Sequence, residues 1–160
     1  MTPDAKKPTL VCYDGSDQST RALEALRGVL APTAELVVLT VWQPLVTKLA
    51  ETGSFGVFAL DDETELDESE EKAARTAADQ AVERARAAGY TATARVEEAQ
   101  QAAWIKIIEV ADEIDAGLIV CGTRGRGTIK TALLGSVSRA VLTHSGRPVL
   151  IAPAPREHTD

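Results

Sequence analysis

The sequence predicts an open, doubly wound α/β fold: a five-stranded parallel sheet with helices on both faces. Three observations point there. Short continuous apolar runs, the mark of strands buried on both faces, alternate with stretches whose apolar residues recur at helical spacing. Hydrophobic residues make up 44% of the chain but aromatic residues only 4%, so the core is aliphatic, as buried parallel strands require. The fourth apolar run leads straight into a glycine-spaced loop, Gly122 to Ser138, of the kind that carries ligands at the ends of such sheets.

At 160 residues the chain is long enough for one compact core and too short for two. A single domain is expected over residues 9–153, flanked by a flexible N-terminal segment (1–8) and a flexible tail (154–160). Thr9 to Tyr13 reads as the first strand, ended by the turn Asp14-Gly15-Ser16. Ser16 can cap the helix that follows, where Ala22, Leu26 and Val29 or Leu30 share a face before Pro32. Glu35 to Trp42, rich in β-branched residues, is the second strand and stops before Pro44. Gln43 to Leu60 shows no clean periodicity and reads as a loop that could order over a ligand, with Gly53 and Gly56 as pivots.

Eight of the eleven residues from Asp61 to Glu71 are acidic. They read as a solvated helix start, where carboxylates meet the positive end of the dipole, rather than as a metal site. Ala74, Ala77, Ala78, Ala81, Ala85 and Ala88 continue that helix as a narrow stripe that allows close approach to a sheet, and Gly89 ends it. Thr91 to Val96 alternates like an edge strand. Trp104, Ile107, Ile108, Ala111 and Ile114 form a helical face, which makes Trp104 a packing residue. Leu118 to Cys121 is the fourth strand, Ser136 to Ser145 a helix, and Pro148 to Ala152 the fifth strand.

Composition excludes several functions. With 24 acidic against 17 basic residues the net charge is -7, which opposes non-specific binding to nucleic acid or to an anionic membrane. No apolar stretch reaches the length of a membrane span and the N-terminus lacks the apolar core of a secretory signal, so a cytoplasmic protein is expected. Cys12 and Cys121 sit within strands and read as small hydrophobes; a disulfide is disfavoured in the reducing compartment expected, and neither their number nor their spacing suits a metal site.

The glycine loop has two readings. Backbone amides freed of side chains, together with a helix N-terminus, make a phosphate cradle to which the guanidinium groups of Arg124 and Arg126 could add. The same glycines could merely connect two elements, with the arginines in solvent. Familiar phosphate motifs fail here. A Walker loop needs Lys-Ser or Lys-Thr where Thr128-Ile129 stands, and the dinucleotide fingerprint needs glycine where Lys130 stands. A phospho-acceptor receiver domain needs an acidic pair after its first strand, which Asp14 and Asp17 cannot supply, and an aspartate after its third, where the chain reads Glu97-Glu98.

The whole pattern resembles the nucleotide-binding branch of the universal stress protein family. That branch carries glycine, two residues, glycine, nine residues, then glycine and a serine or threonine, here Gly122, Gly125, Gly135 and Ser136. The first strand ending in Asp14-Gly15-Ser16, the approach ADEIDAGLIVCG and the last strand PVLIAP extend the likeness over nearly the whole chain. The resemblance implies strand order 3-2-1-4-5, an adenine nucleotide alpha hydrolase-like fold, a homodimer joined through the fifth strands (Pro148 to Ala152), and ATP as ligand. It places Asp14 and Gly15 against ribose and phosphates, backbone atoms of Val41 against adenine, and Gly122 with Gly125 around the ribose and the phosphate turn. Gly135, Ser136, Val137 and Ser138 would offer amides and hydroxyls to the phosphates, with Arg124, Arg126, Gly127 and Thr128 between the two glycine groups. Mg²⁺ would accompany the triphosphate, with Asp14 as its one candidate protein ligand.

No residue stands out as a catalytic base. His144, in the last turn of its helix, suits a capping role, and His158 lies in the tail. The expected function is therefore an ATP-dependent regulator or sensor in stress response, with an unidentified protein partner and at most slow hydrolysis or self-phosphorylation. An ATPase or kinase using Asp14 and Mg²⁺, and a nucleotide-free dimeric interaction module, are the alternatives.

Overall fold

The computed structural model describes residues 7–53, 63–123 and 134–152. Outside the described residues lie most of the expected flexible N-terminus, the tail with His158, residues 54–60 of the expected loop, Asp61 and Asp62 of the acidic run, and loop positions Arg124, Gly125, Arg126, Gly127 and Thr128.

Five strands, β1 (Thr9–Cys12), β2 (Glu35–Trp42), β3 (Thr91–Glu98), β4 (Leu118–Gly122) and β5 (Val149–Ala152), form one parallel sheet in the order β3-β2-β1-β4-β5. Side chains alternate across it. Val11, Leu36, Val38, Leu118 and Val120 pack on one face, where α1 (Asp17–Ala25) and α3 (Glu63–Ala87) contribute Ala22, Leu23, Ala81 and Val82. Leu10, Leu39, Ile119 and Cys121 pack on the other, beneath Ile107, Val110 and Ala111 of α4 (Ala103–Glu113) and Val141 of α5 (Ser136–His144). Both faces are covered, which is why the strands read as unbroken apolar runs. The chain winds outward from β1 to β3 with its helices on the first face, then returns through β4 to β5 with its helices on the second, as right-handed crossovers dictate.

The alanine stripe of α3 is buried: Ala74, Ala78, Ala81 and Ala85 are at most 2% exposed. Small side chains let the helix axis approach β2 and β3 closely. The helix closes as expected at Gly89, where the amides of Gly89 and Tyr90 donate to the carbonyls of Arg86 and Ala85. The edge strand β3 is charged along one side, with Arg95 bonded to Glu97 and reaching Glu113 of α4, both at 2.6 Å. Such charges discourage pairing with a foreign strand.

Three expectations change. Within the expected loop from Gln43 to Leu60, residues Leu45–Thr52 form a helix, α2, which starts after Pro44 and ends at Gly53. An eight-residue helix is too short to sustain itself on propensity or to show a periodic signal. Tertiary contacts hold it instead: the Leu45 amide donates to Asp67 of α3 at 2.8 Å, and Lys48 pairs with Glu70 at 2.9 Å. The first helix ends its α-helical part at Ala25 and tightens into a 3-10 turn over Leu26–Gly28; Leu30 packs inward while Val29 is exposed. The third strand runs two residues further, to Glu98, because β2 supplies partners as far as Trp42.

Ile119 is fully buried at the centre of the α4–α5 face. Ile119→Ala is expected to lower the unfolding free energy by about 2–5 kcal/mol, read as a reduced midpoint with an unchanged slope in urea denaturation.

Candidate functional site

The centre of the sheet is where the winding reverses. β1 has β2 on one side and β4 on the other, and the chain leaves β1 toward one face and β4 toward the opposite face. The two connections diverge and leave a crevice beyond the C-terminal ends of the strands. That crevice is a cleft of about 680 Å³. Tyr13 and Asp14 after β1, Val41, Trp42 and Gln43 at the end of β2, Gly122 at the end of β4 and residues 134–139 at the start of α5 line it; Lys48, Glu70 and Ala74 close one side, Ala103 and Ile107 another.

The turn after β1 is built by its own side chains. Gly15 adopts φ 80, a left-handed conformation that glycine takes without a steric penalty. The chain then reverses so that the Ser16 amide donates to Asp14 Oδ1 at 3.0 Å, orienting that carboxylate at the cleft. Ser16 Oγ accepts from the Ser19 amide at 3.2 Å and so caps α1. Gly15 itself does not line the cleft; its part is the turn that sets Asp14.

The opposite wall is α5, and its N-terminus has no such cap. Gly135 occupies the capping position in extended conformation and has no side chain to offer. Its own amide donates to the Thr123 carbonyl at 2.7 Å, which ties the helix start to the end of β4. The first amide to bond back into the helix is that of Arg139, to the Gly135 carbonyl at 2.9 Å. The amides of Ser136, Val137 and Ser138 therefore have no acceptor within the helix, and they stand at the cleft with the positive end of the helix dipole. Arg139, which also borders the cleft, adds a full charge.

Gly122 and Ser138 lock this arrangement. A Cβ at Gly122 would stand 3.0 Å from the backbone carbon and oxygen of Gln18, so α1 can approach β4 this closely only over a glycine. Ser138 Oγ, buried, donates to the Gly122 carbonyl at 2.7 Å. Its hydroxyl is thus committed to the protein, leaving its amide for a ligand. On the far side, Thr40 is 2% exposed and its hydroxyl has no hydrogen-bond partner among the described residues, although the residue lines the cleft.

The structure thus brings together Asp14, Val41, Gly122, Gly135, Ser136, Val137 and Ser138 from the expected site. His144 stacks on Trp104 with ring centroids 5.0 Å apart, away from the cleft lining. Sequence reasoning missed Thr40, Lys48 and Arg139. Arg139 was accessible to it, since it stands one helical turn after Ser136 and so shares its face. Lys48 and Thr40 carried no signal, because one sits on a helix without periodicity and the other inside an apolar strand. No group of three or more His, Cys, Asp or Glu side chains able to hold a metal occurs among the described residues, nor does a helix there have the length and apolarity to cross a membrane.

Fold and cleft together define an open α/β protein with a ligand crevice at its topological switch point. The chain belongs to the Universal stress protein family, whose model matches residues 6–153. Universal stress protein UspA from Lactobacillus plantarum shares the fold, with a TM-score of 0.74 at 21% identity over 92% of this chain and 98% of that one. A universal stress protein solved in complex with cAMP superposes with a TM-score of 0.63 at 30% identity, covering 94% of this chain and 98% of its own. A candidate universal stress protein of Staphylococcus saprophyticus is 42% identical over 43 residues, 27% of this chain and 26% of that relative. A further curated relative, from Schizosaccharomyces pombe, is matched over only 8% of its length.

Gly122→Ala is expected to destabilise the fold by about 1–3 kcal/mol, the usual range for forcing a methyl group into a packed contact, because the obstruction is Gln18 backbone rather than a movable side-chain end. Thermal unfolding of the purified variant checks this.

Proposed function

We propose that the cleft binds an adenine nucleotide, with ATP as the ligand, and that the protein acts through occupancy of this site as a nucleotide-dependent regulator. The observation that carries the reading is the uncapped N-terminus of α5 at the cleft. Three amides with no acceptor among the described residues, a helix dipole and Arg139 form an anion site opposite a wall of apolar strand ends. The structural neighbour at 30% identity was solved with cAMP, which supports an adenine nucleotide. The complete spacing of Gly122, Gly125, Gly135 and Ser136 supports ATP in particular.

In this arrangement the amides of Ser136, Val137 and Ser138 receive phosphate oxygens, Asp14 meets the ribose, and the backbone at Val41 meets the base. The family resemblance would add Arg124, Gly125, Arg126, Gly127 and Thr128, which lie outside the described residues, to the phosphate side. Mg²⁺ would be held by the triphosphate and water, with Asp14 as the candidate protein ligand, since this ion keeps most of its water. The site favours binding over turnover. Of the two carboxylates lining the cleft, Glu70 is paired with Lys48 and Asp14 is held by the Ser16 amide. Hydrolysis or self-phosphorylation is slow at most.

Pairing of two chains through β5 forms part of the same proposal. β5 is an edge strand, and its Val149, Leu150 and Ile151 are only half-buried within one chain. Sedimentation equilibrium is expected to give the mass of two chains; a single-chain mass at micromolar concentration would remove this part.

Ser136→Pro tests the anion site. Gly135 already has φ -61 and ψ 160, the conformation a residue before proline prefers, and proline suits the first helical position. The variant thus deletes one amide donor with little disturbance of the helix. Loss of one hydrogen bond to a charged group, about 1.5–3 kcal/mol, predicts ATP affinity weaker by roughly 10- to 100-fold in equilibrium dialysis, with unfolding unchanged. Equal affinity would contradict the placement of phosphate there.

A further inference from the structure

The two cysteines of the chain, far apart in sequence, stand side by side in the fold. Cys12 ends β1, and Cys121 lies one residue before the end of β4. The parallel register sets Val11 beside Val120, so one further step along both strands sets Cys12 beside Cys121. A single row crosses the sheet at that level: Leu39 pairs with Cys12, and Cys121 pairs with Ile151. Both thiols project to the α4–α5 face, and both border the cleft.

Adjacent strands stand about 4.8 Å apart, inside the roughly 4.4–6.8 Å between Cα atoms that a disulfide spans. A hydrogen bond between the two thiols is the main influence holding the Cys12 proton well above the usual thiol range, and burial acts in the same direction. Both thiols are free, and neither has a part in the binding chemistry described above.

We propose that Cys12 and Cys121 form a reversible dithiol–disulfide pair in the floor of the cleft, oxidised by hydroperoxides. In the first step, with hydrogen peroxide, one sulfur as thiolate attacks a peroxide oxygen; the O–O bond breaks, a sulfenic acid forms, and the leaving hydroxide takes up the proton the thiol released and departs as water. In the second the neighbouring sulfur attacks the sulfenic sulfur, the S–O bond breaks, and a second water leaves. Two thiols and one hydrogen peroxide give one disulfide and two waters. The bond ties together the strand ends that carry Asp14 and Gly122, so its formation acts directly on the cleft.

Because the Cys12 proton is held above its ordinary value, thiolate is scarce at neutral pH and grows about tenfold per pH unit on the way up. Attack by Cys12 is therefore slow near pH 7 and accelerates as pH rises.

The experiment uses the full folded chain and needs no nucleotide, so its outcome is separate from the fate of the ATP reading. The protein is exposed to hydrogen peroxide, quenched in acid, alkylated with N-ethylmaleimide under denaturing conditions, and examined by intact mass and peptide mapping. The expected product is a monomeric chain lighter by two hydrogens, with neither thiol alkylated, a Cys12–Cys121 linked peptide, and full reversal by dithiothreitol. Cys12→Ser and Cys121→Ser should each abolish the linked peptide. The proposal is overturned if both thiols remain alkylatable under peroxide that oxidises the urea-unfolded chain, if a single thiol proceeds to sulfinic acid unpaired, or if linkage forms only between chains.

Discussion

The parallel pairing of β1 with β2 on one side and β4 on the other is the constraint on which the cleft depends. β1 has only four residues, yet two of them, Leu10 and Val11, are fully buried and face opposite layers of the core. Burying both requires helices on both faces. Once that is so, the fixed hand of the crossovers sends the connection after β1 one way and the connection after β4 the other. The cleft is the space between two loops that cannot close on each other.

The walls of that space are held by contacts at the strand ends rather than by the core. Gly122 lets α1 reach β4, Ser138 returns a hydrogen bond to the Gly122 carbonyl, and the Gly135 amide binds the Thr123 carbonyl. Together they place the start of α5 over the cleft and leave its first amides for a guest. The contrast with α1 is informative: Ser16 satisfies that helix internally, whereas Gly135 cannot satisfy α5. A capping serine at Gly135 would have filled the anion site with the protein's own oxygen.

Much of this was legible in the sequence because the strong signals were local. The apolar runs gave the strands, the alanine stripe gave the close-packed face of α3, and Gly89 marked its end. The resemblance carried by the glycine spacing gave the strand order, which no local pattern contains. What stayed hidden was long-range. α2 exists because Asp67 and Glu70 of α3 hold Leu45 and Lys48, and nothing between Gln43 and Thr52 announces those partners. Thr40 reads as one more β-branched strand residue; only the fold shows its hydroxyl buried beside the cleft without a partner among the described residues. Cys12 and Cys121 each read correctly as small strand hydrophobes, and their adjacency depends on the β1–β4 register, which a single sequence does not display.

The central claim is that the first-turn amides of α5 hold the phosphates of an adenine nucleotide. It is tested most directly by following backbone amide resonances of the folded protein while ATP, and separately adenosine, is added. The account predicts saturable shifts at Ser136, Val137 and Ser138 with ATP, absent or much smaller with adenosine, while Val41 responds to both. ATP binding that leaves the three α5 amides unmoved, or adenosine moving them equally, would contradict it.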